Sequence, residues 1–271
     1  MQDAPNLSVA EDAAAKPPRS LGLLGLLASL VAFALGMGVW LGVFAGLIFA
    51  GATLFDGMAS INALIEDFDR FDPLRLGADI GAQRAMFAGG ALIYLSAAAS
   101  LLTLARLFGK GDAAAMLGWT GVWPAVTSTG WLLIVCALLY HIVAGATLRY
   151  FFPEFALWII PPRDAMALIL SFVMIVILAP LVEELLFRGW IFGSLRARFS
   201  AGVTILVTAV LFAIVHMDPT GLYPLAVLAP GLVLSVIRER TGSVKGAILA
   251  HAIYNGIGWL LLVFATAFFL R

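Results

Sequence analysis

Two adjacent carboxylates and an arginine stand in an apolar stretch of the chain, residues 179–189. A charged side chain in hydrocarbon costs at least about 2.5–3.5 kcal/mol, so an intramembrane acid is a functional-site candidate. Glu184 and Arg188 are four residues apart on one helix face, which predicts a charge-assisted pair. Glu183 lies about 100° further round the helix and is therefore predicted to have a different role. Pro180 lacks an N–H and is expected to kink or loosen this helix beside the acids.

Further polar side chains follow in later apolar segments. The chain has three histidines. His216 ends one apolar segment, and His251 and Asn255, four residues apart, share a face of another. A buried polar group without a partner costs a few kcal/mol, so we expect these groups to meet the glutamates. His141 stands apart from these motifs, and we assign it a structural role.

A carboxylate with an imidazole can hold one water molecule and deprotonate it, while a second imidazole and an amide N–H can donate to a developing oxyanion. These motifs contain no Ser or Cys nucleophile, so we expect direct attack by water and no cofactor. Glu183, His216 and His251 are also acceptable zinc ligands. Because neither His-Glu-x-x-His nor its inverse occurs, zinc is the second alternative.

The composition defines the class of protein that must position these groups. Of the 271 residues 62% are hydrophobic and 12% charged, and the mean hydropathy is +1.04. These values predict an all-α, polytopic membrane helix bundle of about seven to eight transmembrane helices in a lipid bilayer. A net charge of zero gives no sign of a nucleic-acid partner. The single Cys136 excludes an internal disulfide framework.

The chain divides into three predicted parts. Residues 1–20 are polar and are expected to form a disordered cytoplasmic tail. Residues 21–160 hold N-terminal transmembrane helices and an acidic segment at 56–81, and residues 161–271 form the catalytic bundle, whose first helix Asp164 is predicted to cap. The predicted spans are residues 21–55, 86–108, 130–150, 165–187, 203–216, 222–237 and 244–269.

Lysine and arginine are distributed unequally between the two sides of this arrangement. With the N-terminus inside, seven spans place ten of the 16 basic residues on the inner side and six on the outer. The positive-inside rule therefore predicts a cytoplasmic N-terminus, with the two glutamates near the cytoplasmic end of their helix.

Taken in order, the motifs Glu-Glu-x-x-x-Arg, Phe-x-x-x-His and His-x-x-x-Asn resemble those of the CAAX prenyl protease and bacteriocin-processing (CPBP, or ABI) family. The resemblance covers residues 165–262 and implies an intramembrane glutamate-type endopeptidase. It implies that Glu183 and His216 activate the water and that His251 and Asn255 form the oxyanion hole. The supporting residues that it implies are Glu184 and Arg188.

The substrate implied is a peptide or a lipidated protein C-terminus. The Ala- and Gly-rich chain suggests a bacterial inner membrane. Two alternatives belong to other classes of function. One is a non-proteolytic immunity or interaction protein of the same family. The other is a transporter with the acids as a proton relay, which the single glutamate pair and the lack of internal repeats disfavour.

Overall fold

The computed structural model describes residues 23–55, 80–109, 112–123, 127–153 and 161–269. These residues form eight helices and no strand. The predicted tail, residues 1–20, and nearly all of the acidic segment 56–81 lie outside the described residues, and the division after residue 160 stays a prediction. The helices are α1 Leu23–Phe55, α2 Ile80–Phe108, α3 Ala113–Met116, α4 Ser128–Phe151, α5 Ala165–Arg196, α6 Ala201–Ile214, α7 Tyr223–Thr241 and α8 Val244–Phe269.

Each of the seven predicted spans corresponds to a helix among the described residues, although several helix ends differ. The predicted all-α polytopic membrane bundle is confirmed. Among the described residues, α1, α2, α4, α5 and α8 are long and apolar enough to cross a membrane. Helix α6 has 14 residues, about 21 Å at about 1.5 Å per residue, which is shorter than a hydrocarbon core of about 30 Å. Large apolar side chains such as Leu35 and Val143 cover the outside of the bundle, as a lipid environment requires.

Polar side chains and glycine set the ends of the helices that carry the site. Asp164 caps α5 as predicted, accepting from the Ala167 N–H at 2.8 Å. Helix α7 ends at Gly242, whose φ of 66° is the left-handed conformation that glycine adopts without strain.

Helix α5 differs from the predicted span because it continues to Arg196. It is α-helical over Ala165–Phe172, Ala179–Glu184 and Phe192–Arg196, with π-helix over Val173–Leu178 and Leu185–Ile191. The glutamates therefore lie about 20 Å before the end of the helix, at about 1.5 Å per residue. Their predicted place near the helix end is wrong, because the apolar pattern continues past Arg188, which is itself buried.

Candidate active site

Glu183 of α5 lies between two imidazoles. Its Oε2 atom is 3.8 Å from Nε2 of His216 and 4.0 Å from Nε2 of His251. All three side chains line one cavity of about 260 Å³, and Asn255 lines it too. The structure thus brings together residues from three separate motifs. Both separations are too long for a direct hydrogen bond and fit a bridging water molecule.

His216 lies just beyond the end of α6 rather than inside a helix as the sequence predicted. The helix ends at Ile214, and the chain turns at Val215 and His216. Nδ1 of His216 is 2.7 Å from the carbonyl oxygen of Phe212. A carbonyl only accepts, so Nδ1 carries a proton. When the ring is neutral, its other nitrogen, Nε2, is an acceptor that faces Glu183.

Asp218 holds the turn between His216 and α7. Its Oδ1 accepts the backbone N–H groups of Leu222 and Tyr223, each at 3.0 Å. Burial alone would raise the pKa of this carboxyl, but hydrogen bonds from Thr220, Tyr223 and Leu222 hold the pKa below its ordinary value of 3.8. The turn therefore carries a fixed negative charge at neutral pH.

Glu184 faces away from this cavity into the protein. Its Oε1 accepts from Nη1 of Arg188 at 3.0 Å and lies 2.8 Å from Nδ1 of His251. Glu184 and Arg188 are both fully buried. Nη2 of the arginine also donates to the Gly231 carbonyl at 2.7 Å. The two glutamates therefore have different surroundings, and Glu184 anchors the ring of His251 through its far nitrogen.

Asn255 stabilises the loosened part of α5. The Ala179 N–H bonds to the carbonyl of Met174, five residues earlier, in the π-helical register. In that register the next N–H would reach Ile175, but the next residue is Pro180, which has none. Nδ2 of Asn255 donates to the Ile175 carbonyl instead, at 2.8 Å. One of the two amide hydrogens of Asn255 is thus committed to the backbone.

Among the other side chains that line the cavity, Tyr94 and His141 come from helices that precede the motifs. Tyr94 of α2 donates its hydroxyl to Oε1 of Glu183 at 2.5 Å. His141 of α4 lines the cavity wall and makes edge-on ring contacts with Tyr223 and Tyr254. Nothing in the sequence around Tyr94 signals this contact, because α2 carries no motif and the hydrogen bond joins residues 89 positions apart.

Within the described ranges, no group of three or more His, Cys, Asp or Glu side chains is arranged to hold a metal ion. Metal-independent hydrolysis and the zinc alternative both remain predictions.

The fold and site define a polytopic α-helical membrane protein with a carboxylate and two imidazoles around a cavity inside the bundle. Residues 165–257 match the family model described as "Type II CAAX prenyl endopeptidase Rce1-like". This match confirms the resemblance to the CAAX protease and CPBP family for that part of the chain, which contains all six predicted site residues. Tyr94 and His141 lie outside it.

A curated relative matches a similar length of chain. Over 95 residues the chain is 38% identical to the "Uncharacterized 24.3 kDa protein" of Escherichia coli. The aligned part is 34% of this chain and 44% of that protein, so the match spans less than half of the relative. No solved structure matches the chain significantly.

Proposed function

We propose that this protein is an intramembrane endopeptidase in which Glu183 and His216 activate water to hydrolyse a peptide bond. The observation that carries the proposal is the separation of 3.8 Å between Oε2 of Glu183 and Nε2 of His216. One water molecule between two such acceptors can donate a hydrogen bond to each, which orients its oxygen lone pair for attack. The match of residues 165–257 to a protease family supports the same class of reaction.

Water and Glu183 account for every proton transferred in the proposed reaction. Glu183 takes a proton as the water oxygen bonds to the carbonyl carbon, and the carbonyl oxygen becomes an oxyanion. The intermediate then collapses with cleavage of the C–N bond. The proton on Glu183 passes to the departing nitrogen, leaving a carboxylic acid and an amine.

His251 and Asn255 are the proposed oxyanion donors. Nδ1 of His251 is held by Glu184, which is paired with Arg188, and its Nε2 faces Glu183. A protonated ring in this position can donate Nε2–H to the oxyanion. Asn255 contributes through the amide hydrogen that Ile175 does not use.

The proposed substrate is a peptide or a lipidated protein C-terminus that enters from the bilayer or its surface. Beside the polar residues, the cavity wall is apolar and aromatic, with Met174, Val227 and Leu234. Such a wall suits an apolar side chain or lipid chain next to the bond that is cleaved. We place the protein in a bacterial inner membrane because the chain is rich in Ala and Gly. We place its N-terminus in the cytoplasm because the predicted inner side carries more basic residues than the outer side.

Purified protein in liposomes, mixed with a pool of internally quenched peptides, tests this function. The pool should contain unmodified peptides and peptides with a lipidated C-terminus. Glu183→Gln and His216→Ala should each lower turnover about 100- to 10,000-fold, the range of general acid–base catalysis. Glu239→Gln is the matched control, because Glu239 pairs with Arg196 at the surface and away from the cavity.

The outcomes separate the alternatives. Turnover that persists in a metal chelator supports the metal-independent mechanism, and its loss on chelation favours zinc. If Glu183→Gln cleaves as fast as the wild-type protein, the assignment of roles is wrong. If the wild-type protein cleaves no peptide in the pool, the non-proteolytic alternative is favoured.

A further inference from the structure

We propose that Tyr94 is a positioning residue for Glu183, so that the active site is completed by the N-terminal half of the chain. The proposal rests on the proposed function. Tyr94 lies in α2, outside the segment that matches the protease family. Its hydroxyl donates to Oε1 of Glu183 at 2.5 Å, within the range of a hydroxyl bonded to an ionised carboxylate.

The two oxygens of the Glu183 carboxylate have different contacts. Oε1 is held by Tyr94, and Oε2 faces the two imidazoles. A carboxylate fixed at one oxygen cannot rotate freely about its terminal torsion, which is otherwise broad. The phenol therefore keeps Oε2 directed at the water position.

Two contacts hold α2 beside α5 in the region of Tyr94. Gln83, fully buried, donates to the Pro161 carbonyl and accepts the Arg163 N–H, which fastens the start of α2 to the segment before α5. One turn before Tyr94 stands Gly90, where an added Cβ would collide with the sulfur of Met174 in the π-helical segment. The contact of Met174 with Gly90 places α2 against the π-helical segment of α5, one turn from Tyr94.

Other ionisable groups also surround Glu183. They come from the turn after α6, from α7, from α8 and from α5 itself. They are His216, Tyr223, His251, Glu184 and Arg188. Tyr94 adds a direct hydrogen bond to Glu183 from α2.

The experiment compares Tyr94→Phe with Tyr140→Phe, using the best-cleaved peptide of the quenched pool. Tyr140 also donates a phenolic hydrogen bond, at 2.7 Å to the Leu225 carbonyl, but it is not among the residues that line the cavity. Tyr94→Phe should lower kcat about tenfold or more at neutral pH, the value of one hydrogen bond to a charged group. KM should change less than about threefold, because the phenol does not touch the substrate.

A double-variant comparison separates positioning from a merely structural role. If the phenol acts through the Glu183 carboxylate, Tyr94→Phe should lower the residual kcat of Glu183→Gln by less than about threefold, because the carboxylate that it positions is already gone. Tyr140→Phe should leave kcat unchanged in both backgrounds. An equal fold-loss of kcat from Tyr94→Phe in the wild-type and Glu183→Gln backgrounds overturns the proposal.

An unfolding experiment gives an answer that does not depend on turnover. Tyr94→Phe should raise the unfolding equilibrium constant about tenfold in the wild-type protein and less in Glu183→Gln, because a hydrogen bond to a charged carboxylate is stronger than one to a neutral amide. Equal effects in the two backgrounds refute the positioning contact. If the two backgrounds differ as expected but the wild-type protein cleaves no peptide, the proposed function fails while the contact stands.

Discussion

The buried ion pair between Glu184 and Arg188 leads to the sharpest prediction on stability. In Arg188→Met the arginine is replaced by an uncharged side chain, and among the described residues the carboxylate of Glu184 keeps only its contact with the His251 ring. Arg188 is fully buried, pairs with Glu184 at 3.0 Å and donates to the Gly231 carbonyl at 2.7 Å. Its guanidinium also lies 4.3 Å from the centre of the Phe212 ring.

The magnitude follows from these contacts. A buried carbonyl that loses its donor costs about 1–3 kcal/mol, and a desolvated cation–π contact contributes about 2 kcal/mol. The carboxylate of Glu184 also stays buried after it has lost its arginine partner, and this cost is the largest of the three. Because these contributions overlap, we expect Arg188→Met to lower the free energy of unfolding by about 3–5 kcal/mol, the range for breaking a buried pair.

Equilibrium unfolding in mixed micelles measures this loss against a matched surface variant. Arg196→Met removes an exposed arginine that pairs with Glu239 at 3.1 Å and should cost less than about 1 kcal/mol. The double variant Glu184→Gln, Arg188→Met removes both charges and should recover at least half of the loss, about 2 kcal/mol. A cost of Arg188→Met no larger than that of Arg196→Met, or a double variant no more stable than the single one, refutes this reasoning.

Two further predictions concern the backbone of α5. Asn255→Ala should lower the free energy of unfolding by about 1–3 kcal/mol, because the Ile175 carbonyl loses its donor. The loss should be smaller in combination with Pro180→Ala, which restores a backbone N–H at position 180. Losses that simply add in unfolding experiments contradict this prediction. Gly189→Ala should destabilise by about 1–3 kcal/mol, since its Cβ would overlap a backbone carbonyl of the α3 region. Gly193→Ala is the control, because the space around its added Cβ is open. This change should be neutral or should stabilise the protein by about 0.5–1 kcal/mol. Equal melting temperatures of the two alanine variants would count against close packing at Gly189.

The sequence predicted the site best where a side chain is costly to bury in any surroundings, as a charged group is. The charges of Glu183, Glu184 and Arg188 in an apolar segment marked the site before any contact was known, because hydrocarbon penalises them wherever they stand. The spacing of Glu184 and Arg188 by four residues likewise predicted a pair, which the structure contains at 3.0 Å. Helical periodicity depends only on neighbouring positions, so pairs of this kind can be read along the chain.

The difference between the two glutamates was predictable, but their partners were not. A rotation of about 100° separates adjacent side chains on any helix. Which of them faces the cavity depends on how α5 is turned against α2 and α8, and that is set by packing at positions such as Gly90. The contacts of Glu183 with Tyr94 and of Glu184 with His251 are consequences of that rotation.

By itself, then, the sequence determined the membrane class, the approximate helices and six candidate site residues, since hydropathy, charge cost and short-range spacing are local quantities. The tertiary structure decided that His216 lies in a turn beyond its helix and that Asn255 replaces the N–H missing at Pro180. It also decided that Tyr94, from a helix without a motif, reaches Glu183. These contacts join residues distant in the chain, and only the packing of whole helices brings such residues together.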